Sequence, residues 1–217
     1  MENKRRRVSA LAPEERRAAL IQATIPLLHQ HGLDVSTRQI AEAAGVAEGT
    51  IFGVFESKSS LVVVSVIEAL DPQATLDALA AIDRTAPLHR RVADAATLVH
   101  LRVQENMQLM TAARKLILAA EGNPEARRRM ASSRERLQLA VADVFAPDAA
   151  RLRRSPAAAA RMLLLICSAD SYGPFGDPAG FSGAELASLL LDGLLHNGPA
   201  LNLAISPDSQ RGAQTTC

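Results

Sequence analysis

The 217-residue chain has no tryptophan, one tyrosine and five phenylalanines. Broad aromatic stacking on a flat ligand therefore has little to work with, and a flexible, moderately apolar ligand suits the composition better. Its two cysteines, Cys167 and Cys217, lie far apart, one in an apolar run and one at the last position. That spacing offers no disulfide framework, and a reducing, cytoplasmic setting is expected. Cys167 reads first as a small buried hydrophobe and second as a redox-sensitive thiol. No apolar run approaches the roughly 18 residues of a membrane span, so no membrane partner is expected. Lysine is scarce, three against 21 arginines, and acids nearly balance bases to leave a net charge of +1. By itself that balance points to neither nucleic acid nor membrane. Nucleophile motifs, Gly-rich phosphate loops and metal-ligand spacings such as HExxH are missing. Enzymatic chemistry would have to come from the scattered Cys167, Asp170, His100 and His196. The chain is accordingly expected to be no enzyme and to hold no metal or cofactor.

What the sequence does contain is helix signal almost throughout. "APEERRAALIQATIPLLHQHG" opens with Pro13 at a helix start and Glu14 and Glu15 in the first turn, where the helix dipole favours carboxylates. Leu20, Ile21, Thr24, Leu27 and Leu28 form its expected buried face, Pro26 should bend it, and Gly32 ends it. Ser36 and Gln39 have capping-box spacing, and the helix they start stops at Gly45. Ser57 caps a further helix, "KSSLVVVSVIEAL", in which the β-branched run Val62–Val64 would locally suit a strand. The stripe Leu61, Val64, Ile67 decides for helix. Later helices are read at Gln73–Ile82 and from Leu88 to Met110 with continuation toward Ala120. Others start after Asn123–Pro124, after Ser155–Pro156 and at a second capping box, Ser182 with Glu185. The expected fold is all-α: a basic arm over 1–12, a small helical unit over 13–60, a larger bundle over 61–200 and a polar, flexible tail over 201–217.

The stretch "AEAAGVAEGTIFGVFESK" sets two short helices, Thr37–Ala44 and Glu48–Val54, on either side of a glycine turn, which is helix-turn-helix spacing. Ile40, Ala41, Val46, Ile51 and Phe55 are the apolar positions available to hold the pair on the first helix. The second helix, short and glycine-rich, must be held by packing rather than by propensity. Its first turn is then free to face phosphates and base edges, and Gly49 permits close backbone approach. These residues, from "RAALIQATIPLLHQHGLDVSTRQIAEAAGV" through "GTIF" to "FESKSSL", resemble the DNA-binding domain of the TetR family of transcriptional regulators over residues 17–67.

That resemblance implies a cytoplasmic, nucleoid-associated repressor that binds a palindromic double-stranded operator as a homodimer and is released by a small-molecule effector. It also implies roles for individual residues. Thr37 and Arg38 would contact phosphate and bases, Arg38 as a bidentate guanine reader or else as a solvated surface arginine. Thr50 offers a hydroxyl and a methyl. Phe52 stands where the family usually has tyrosine and serves either DNA or the core. Lys58, at a helix N-terminus, would grip a phosphate. Three positions depart from the pattern. Ala47 forgoes a capping hydroxyl worth about 1 kcal/mol. Gly53 replaces a large polar side chain. Glu48 brings negative charge to the DNA side, as a cytosine acceptor or simply as favourable charge at a helix start. The "KRRR" of residues 4–7 would compensate along phosphates, or be a solubilising arm alone.

For the bundle, the resemblance implies ligand binding and dimerisation. His100, Gln104, Met107 and Met110 recur at helical spacing and suit a mixed pocket, or else an ordinary core with a satisfied histidine. The runs "RMLLLIC" and "LASLLLDGLL" are too broadly apolar for helices on a monomer surface. Leu163, Leu164, Ile166, Cys167, Leu186, Leu189, Leu190 and Leu194 are therefore expected at a two-fold, four-helix interface. A helical scaffold without DNA binding remains the alternative from another class, since Ala47 and Gly53 thin the reading surface.

Overall fold

Side-chain caps at Ser36, Ser57, Ser155 and Ser182 fix where four of the helices begin. The computed structural model describes residues 12–119, 124–171 and 180–194, without the side chains of 112–119, 170, 171 and 194. Expectations for the basic arm, the Asn123 cap, Asp170, Leu194, His196, the tail and Cys217 lie outside those described residues. The elements are α1 (Pro13–His31), α2 (Thr37–Ala44), α3 (Glu48–Phe52), α4 (Lys58–Ala69), α5 (Gln73–Ala80), α6 (Leu88–Ala119), α7 (Pro124–Phe145), α8 (Pro156–Ser171) and α9 (Gly183–Leu194). Two 3-10 turns join them, at Gly32–Asp34 and Ala146–Arg151.

Ser36 accepts from the Gln39 N–H at 3.2 Å, and Gln39 accepts from the Ser36 N–H at 2.8 Å. The Ser182–Glu185 box closes in the same way, at 2.8 and 3.2 Å. Ser57 caps α4 by accepting from the Ser60 N–H at 3.1 Å, so the valine run is helical because its start is fixed and its neighbours bury. In α1, Leu20, Thr24 and Leu28 are fully buried, and Ile21 and Leu27 pack at the edge. The Thr24 hydroxyl is satisfied within the helix, donating to the Leu20 carbonyl at 2.7 Å.

Two cores result. The first gathers Leu20, Leu28, Val35, Ile40, Ile51 and Phe55 with Leu61, Val62, Val66 and Leu70 of α4 and Leu109 of α6. The expected boundary at residue 60 falls within α4, whose Leu61, Val62 and Val66 pack in this first core. Val62 and Val66 carry that packing, while Val64 is only half-buried. The second core lies between α6, α7, α8 and α9, around Val92, Ala95, Ala96, Val99, Phe145 and Leu163. Small residues on α6 let α9 come close. A β-carbon at Gly183 would stand 2.5 Å from the Ala93 carbonyl oxygen and against Thr97, so glycine is required there by the close approach.

Arg91 of α6 is the charged group at the base of the second core, 3% exposed. It donates to the Val144 carbonyl at 3.2 Å and the Ala86 carbonyl at 2.5 Å, and pairs with Asp148 at 2.5 Å. Among the described residues no helix is long and apolar enough to cross a membrane.

Candidate nucleic-acid interface

Gly45 makes the turn between α2 and α3 with φ +65°, a left-handed conformation that a side chain disfavours. The Val46 N–H continues the turn by donating to the Ala41 carbonyl at 3.0 Å. Behind it Ile40, Ala41, Ile51 and Phe55 are buried, anchoring both helices on α1. Arg17 of α1 stacks over Phe55, 4.4 Å from the ring centroid, and closes the edge of this core. The short α3 is thus clamped from one side, and its other side is open. It ends at Phe52, two residues before the expected limit, because the Val54 N–H turns tightly onto the Ile51 carbonyl at 3.0 Å.

On the open side Arg38, Ala47, Glu48, Gly49, Phe52 and Gly53 are exposed, with Thr37, Thr50 and Lys58 half-buried beside them. The sequence-derived DNA set is thereby brought onto one face. Phe52 is 55% exposed, which excludes the core placement that its apolar ring also allowed. The two glycines have no internal cause. A β-carbon at Gly49 would meet nothing within 4 Å, and one at Gly53 only the Thr50 carbonyl at 3.5 Å.

Two side-chain contacts were not legible from spacing. The Thr37 hydroxyl donates to the Glu48 carboxylate at 2.5 Å, tying the starts of α2 and α3 together across eleven residues of sequence. Glu48 therefore does more than sit at a helix start: it fixes the Thr37 rotamer on the open face. Lys58 donates to the Leu33 carbonyl at 3.3 Å, so its ammonium is held at the edge of the face rather than swinging free.

The profile described as "Bacterial regulatory proteins, tetR family" matches residues 20–63, the span that builds this face. Over residues 20–63 the chain carries a TetR-type helix-turn-helix unit. Solved structures extend the likeness of fold beyond the matched span. A TetR transcription regulator from Haloarcula marismortui ATCC 43049 is 17% identical over 84% of this chain and 99% of its own, with a TM-score of 0.62. A regulator of the TetR/AcrR family from Thermobifida fusca YX-ER1 is 22% identical over 82% of this chain and 98% of its own, at 0.60. A protein from Pseudomonas aeruginosa PAO1 assigned as a transcriptional regulator is 25% identical over 88% and 95%, at 0.59. The fold is thus a TetR-type helix-turn-helix unit carried on a helical C-terminal unit.

In that C-terminal unit the four expected pocket residues are not gathered at one described cavity. His100 and Gln104 hydrogen-bond to each other at 2.7 Å on α6, with Gln104 exposed, and Met107 is half-buried. Met110 alone lines a described cavity, one of about 190 Å³ between the end of α4, α6 and α7. Its walls are Leu70, Met110, Met130 and Leu137 together with parts of Arg102, Ser133 and Arg134, and they are almost entirely apolar. Arg102 and Arg134 were missed because the pairing of α6 with α7 leaves no local sequence signal. Among the described residues no group of three or more His, Cys, Asp or Glu side chains could hold a metal ion.

Four of the residues expected at a two-fold interface lie in this chain's own core. Leu163, Cys167, Leu186 and Leu190 face inward, each no more than 3% exposed, and pack on α6 within their own chain. Leu164 and Ile166 are half-buried at the edge of that core. Cys167 is a buried thiol against the Ala96 carbonyl at 3.8 Å, as its reading as a small hydrophobe requires. The physical reason is that α8 and α9 are apolar on two sides, and the flat, alanine-lined side of α6 takes one of them. The outer sides carry Met162 and Leu165 on α8 and Leu189 on α9, 41%, 66% and 60% exposed.

Proposed function

We propose that this chain represses transcription by binding a palindromic operator as a homodimer, and that a small molecule in the C-terminal unit releases it. The observation that carries the DNA reading is the open face of α2 and α3. Its bulky apolar Phe52 stays exposed beside two glycines that the fold itself does not demand. A duplex backbone and groove supply what such a face lacks: phosphates for Lys58 and Thr37, a base edge for Arg38, and sugar or thymine methyl for Phe52. Dimerisation rests on Met162 and Leu165 of α8 and Leu189 of α9, large apolar side chains left exposed, the kind that isologous interfaces bury. Release requires that the effector favour one of two head spacings, and α4 provides the linkage. Its Leu61, Val62 and Val66 belong to the DNA-binding core, while the carbonyl of Leu70, just past its end, is gripped by Arg102 of α6 at 2.5 Å.

The reading is tested by dividing the contacts. Binding-site selection with Arg38→Ala should lose preference at particular base pairs, by about 1–3 kcal/mol for a bidentate contact. Lys58→Ala should weaken all sites alike and lower the salt slope by about one. An unchanged consensus for Arg38→Ala would remove its base-reading role.

A further inference from the structure

The cavity of about 190 Å³ between the end of α4, α6 and α7 lies on the seam of the two cores. Leu70 is a buried member of the first core, Met110 and Met130 pack against that core, and Leu137 packs against the second. The walls are almost entirely apolar, although two arginines take part in them. Arg134 is exposed, so its apolar stem covers the cavity while its charge stays in water. Arg102 spends donors on the Leu70 and Asp71 carbonyls at 2.5 and 3.3 Å. Its Nε is buried with essentially no accessible surface, so nothing in the cavity reaches it. A charged guest would lose its water here and find no partner, which is costly, whereas an apolar guest loses only unfavourable hydration. The volume exceeds the roughly 150 Å³ of an apolar cavity that binds benzene. Outside, α4 and its end are tied to α7 by two ion pairs, Glu68 with Arg129 at 3.6 Å and Asp71 with Arg136 at 3.5 Å. Exposed pairs of this kind hold weakly, so they offer little resistance to a guest entering the seam.

We infer that this cavity takes a small, neutral, apolar molecule of single-ring or short-chain size, held by Leu70, Met110, Met130 and Leu137 without a hydrogen bond to the protein. This names the ligand class for the effector reading above and rests on that reading. The two thioethers sit on unbranched stems that adapt to an irregular guest and favour contact with a ring, so the cavity is tolerant of shape. Its selection is against charge: a carboxylate or ammonium of the same size is rejected because no wall atom replaces its water. Since the walls come from both cores, an occupied seam sets how the end of α4 lies against α7, where the DNA-binding unit meets the C-terminal unit.

Three probes of one size test the assignment: toluene, benzoate and benzylammonium, titrated at neutral pH into the full chain with methyl-labelled methionines. Toluene should move the Met110 and Met130 methyl resonances saturably and bind at least about tenfold more tightly than either ion. Met162, exposed on α8, is the control for adhesion to the surface and should stay in place. Leu137→Trp should fill the cavity and abolish the toluene shifts. The wild-type spectra decide the matter even if that variant unfolds. No saturable shift of Met110 and Met130 up to the solubility limit of toluene would overturn the inference. Equal binding of benzoate or benzylammonium, or shifts confined to Met162, would do the same. Parallel DNA anisotropy separates this from the effector reading. Toluene bound at Met110 and Met130 without effect on DNA affinity upholds the site and contradicts release through it. Release by a charged compound, from protein indifferent to toluene, upholds release and overturns the apolar guest.

Discussion

Leu165→Arg combined with Leu189→Arg is expected to give a folded monomer whose operator affinity falls by about a hundredfold or more. Both side chains are largely exposed, so arginine there costs the monomer little, and surface changes of this kind usually stay within about 0.5 kcal/mol. Across a two-fold axis the same residue meets its own copy or a near neighbour, so each substitution sets buried like charges together. A palindrome then loses its second head, and the avidity of two linked modules, about 10²–10⁴, goes with it. Sedimentation or light scattering at micromolar concentration reads the mass, and circular dichroism reads the fold. A monomeric wild type, or a double variant that stays dimeric, would contradict the interface. Leu186→Arg or Leu190→Arg makes the necessary contrast. Those side chains are core, and the variants should unfold rather than dissociate.

Asp148→Ala should lower the unfolding free energy at neutral pH by about 1.5–3 kcal/mol, the range for a hydrogen bond to a charged group, since Arg91 is buried while Asp148 is only half-buried. The loss arises because Arg91 stays inside the C-terminal core, its carbonyl bonds intact but its countercharge gone. The same pair makes stability depend on acid. Hydrogen bonds from Arg91 and then Arg151 hold the Asp148 carboxyl below the ordinary carboxylate range. A group whose folded pKa is lowered binds its proton more readily when unfolded. Its stabilisation is complete above the ordinary value and is lost as pH falls through that value toward the lowered one. Urea unfolding between pH 6 and pH 3 should therefore show a steeper loss for wild type than for Asp148→Ala. Parallel losses would mean that the pair contributes nothing to acid sensitivity.

Much of this fold was legible because its signals are local. The Ser36–Gln39 and Ser182–Glu185 boxes, Pro13, Pro124 and Pro156 at helix starts, and the Gly45 turn each act within four residues. The DNA face was legible for the same reason, since α2 and α3 are adjacent and their apolar positions dictate what remains outside. The opposite side of α8 and α9 was not. A helix apolar on two sides does not say which is turned to its own chain, and small residues at Ala95 and Ala96, far away in sequence, settled it. Nor does local sequence say which core Leu61, Val62 and Val66 of α4 join, since tertiary packing decides it. Thr37 with Glu48 is a meeting between elements that no spacing announces.

Fluorescence anisotropy of the full chain on a palindromic duplex from its own upstream region, against a scrambled duplex of equal length, tests the central claim of sequence-specific binding. Measured across a salt series, the palindrome should bind about 10³-fold more tightly or better near physiological salt, with both affinities falling steeply as salt rises. Equal affinity for the two duplexes at that salt would contradict specific readout by the α2–α3 face.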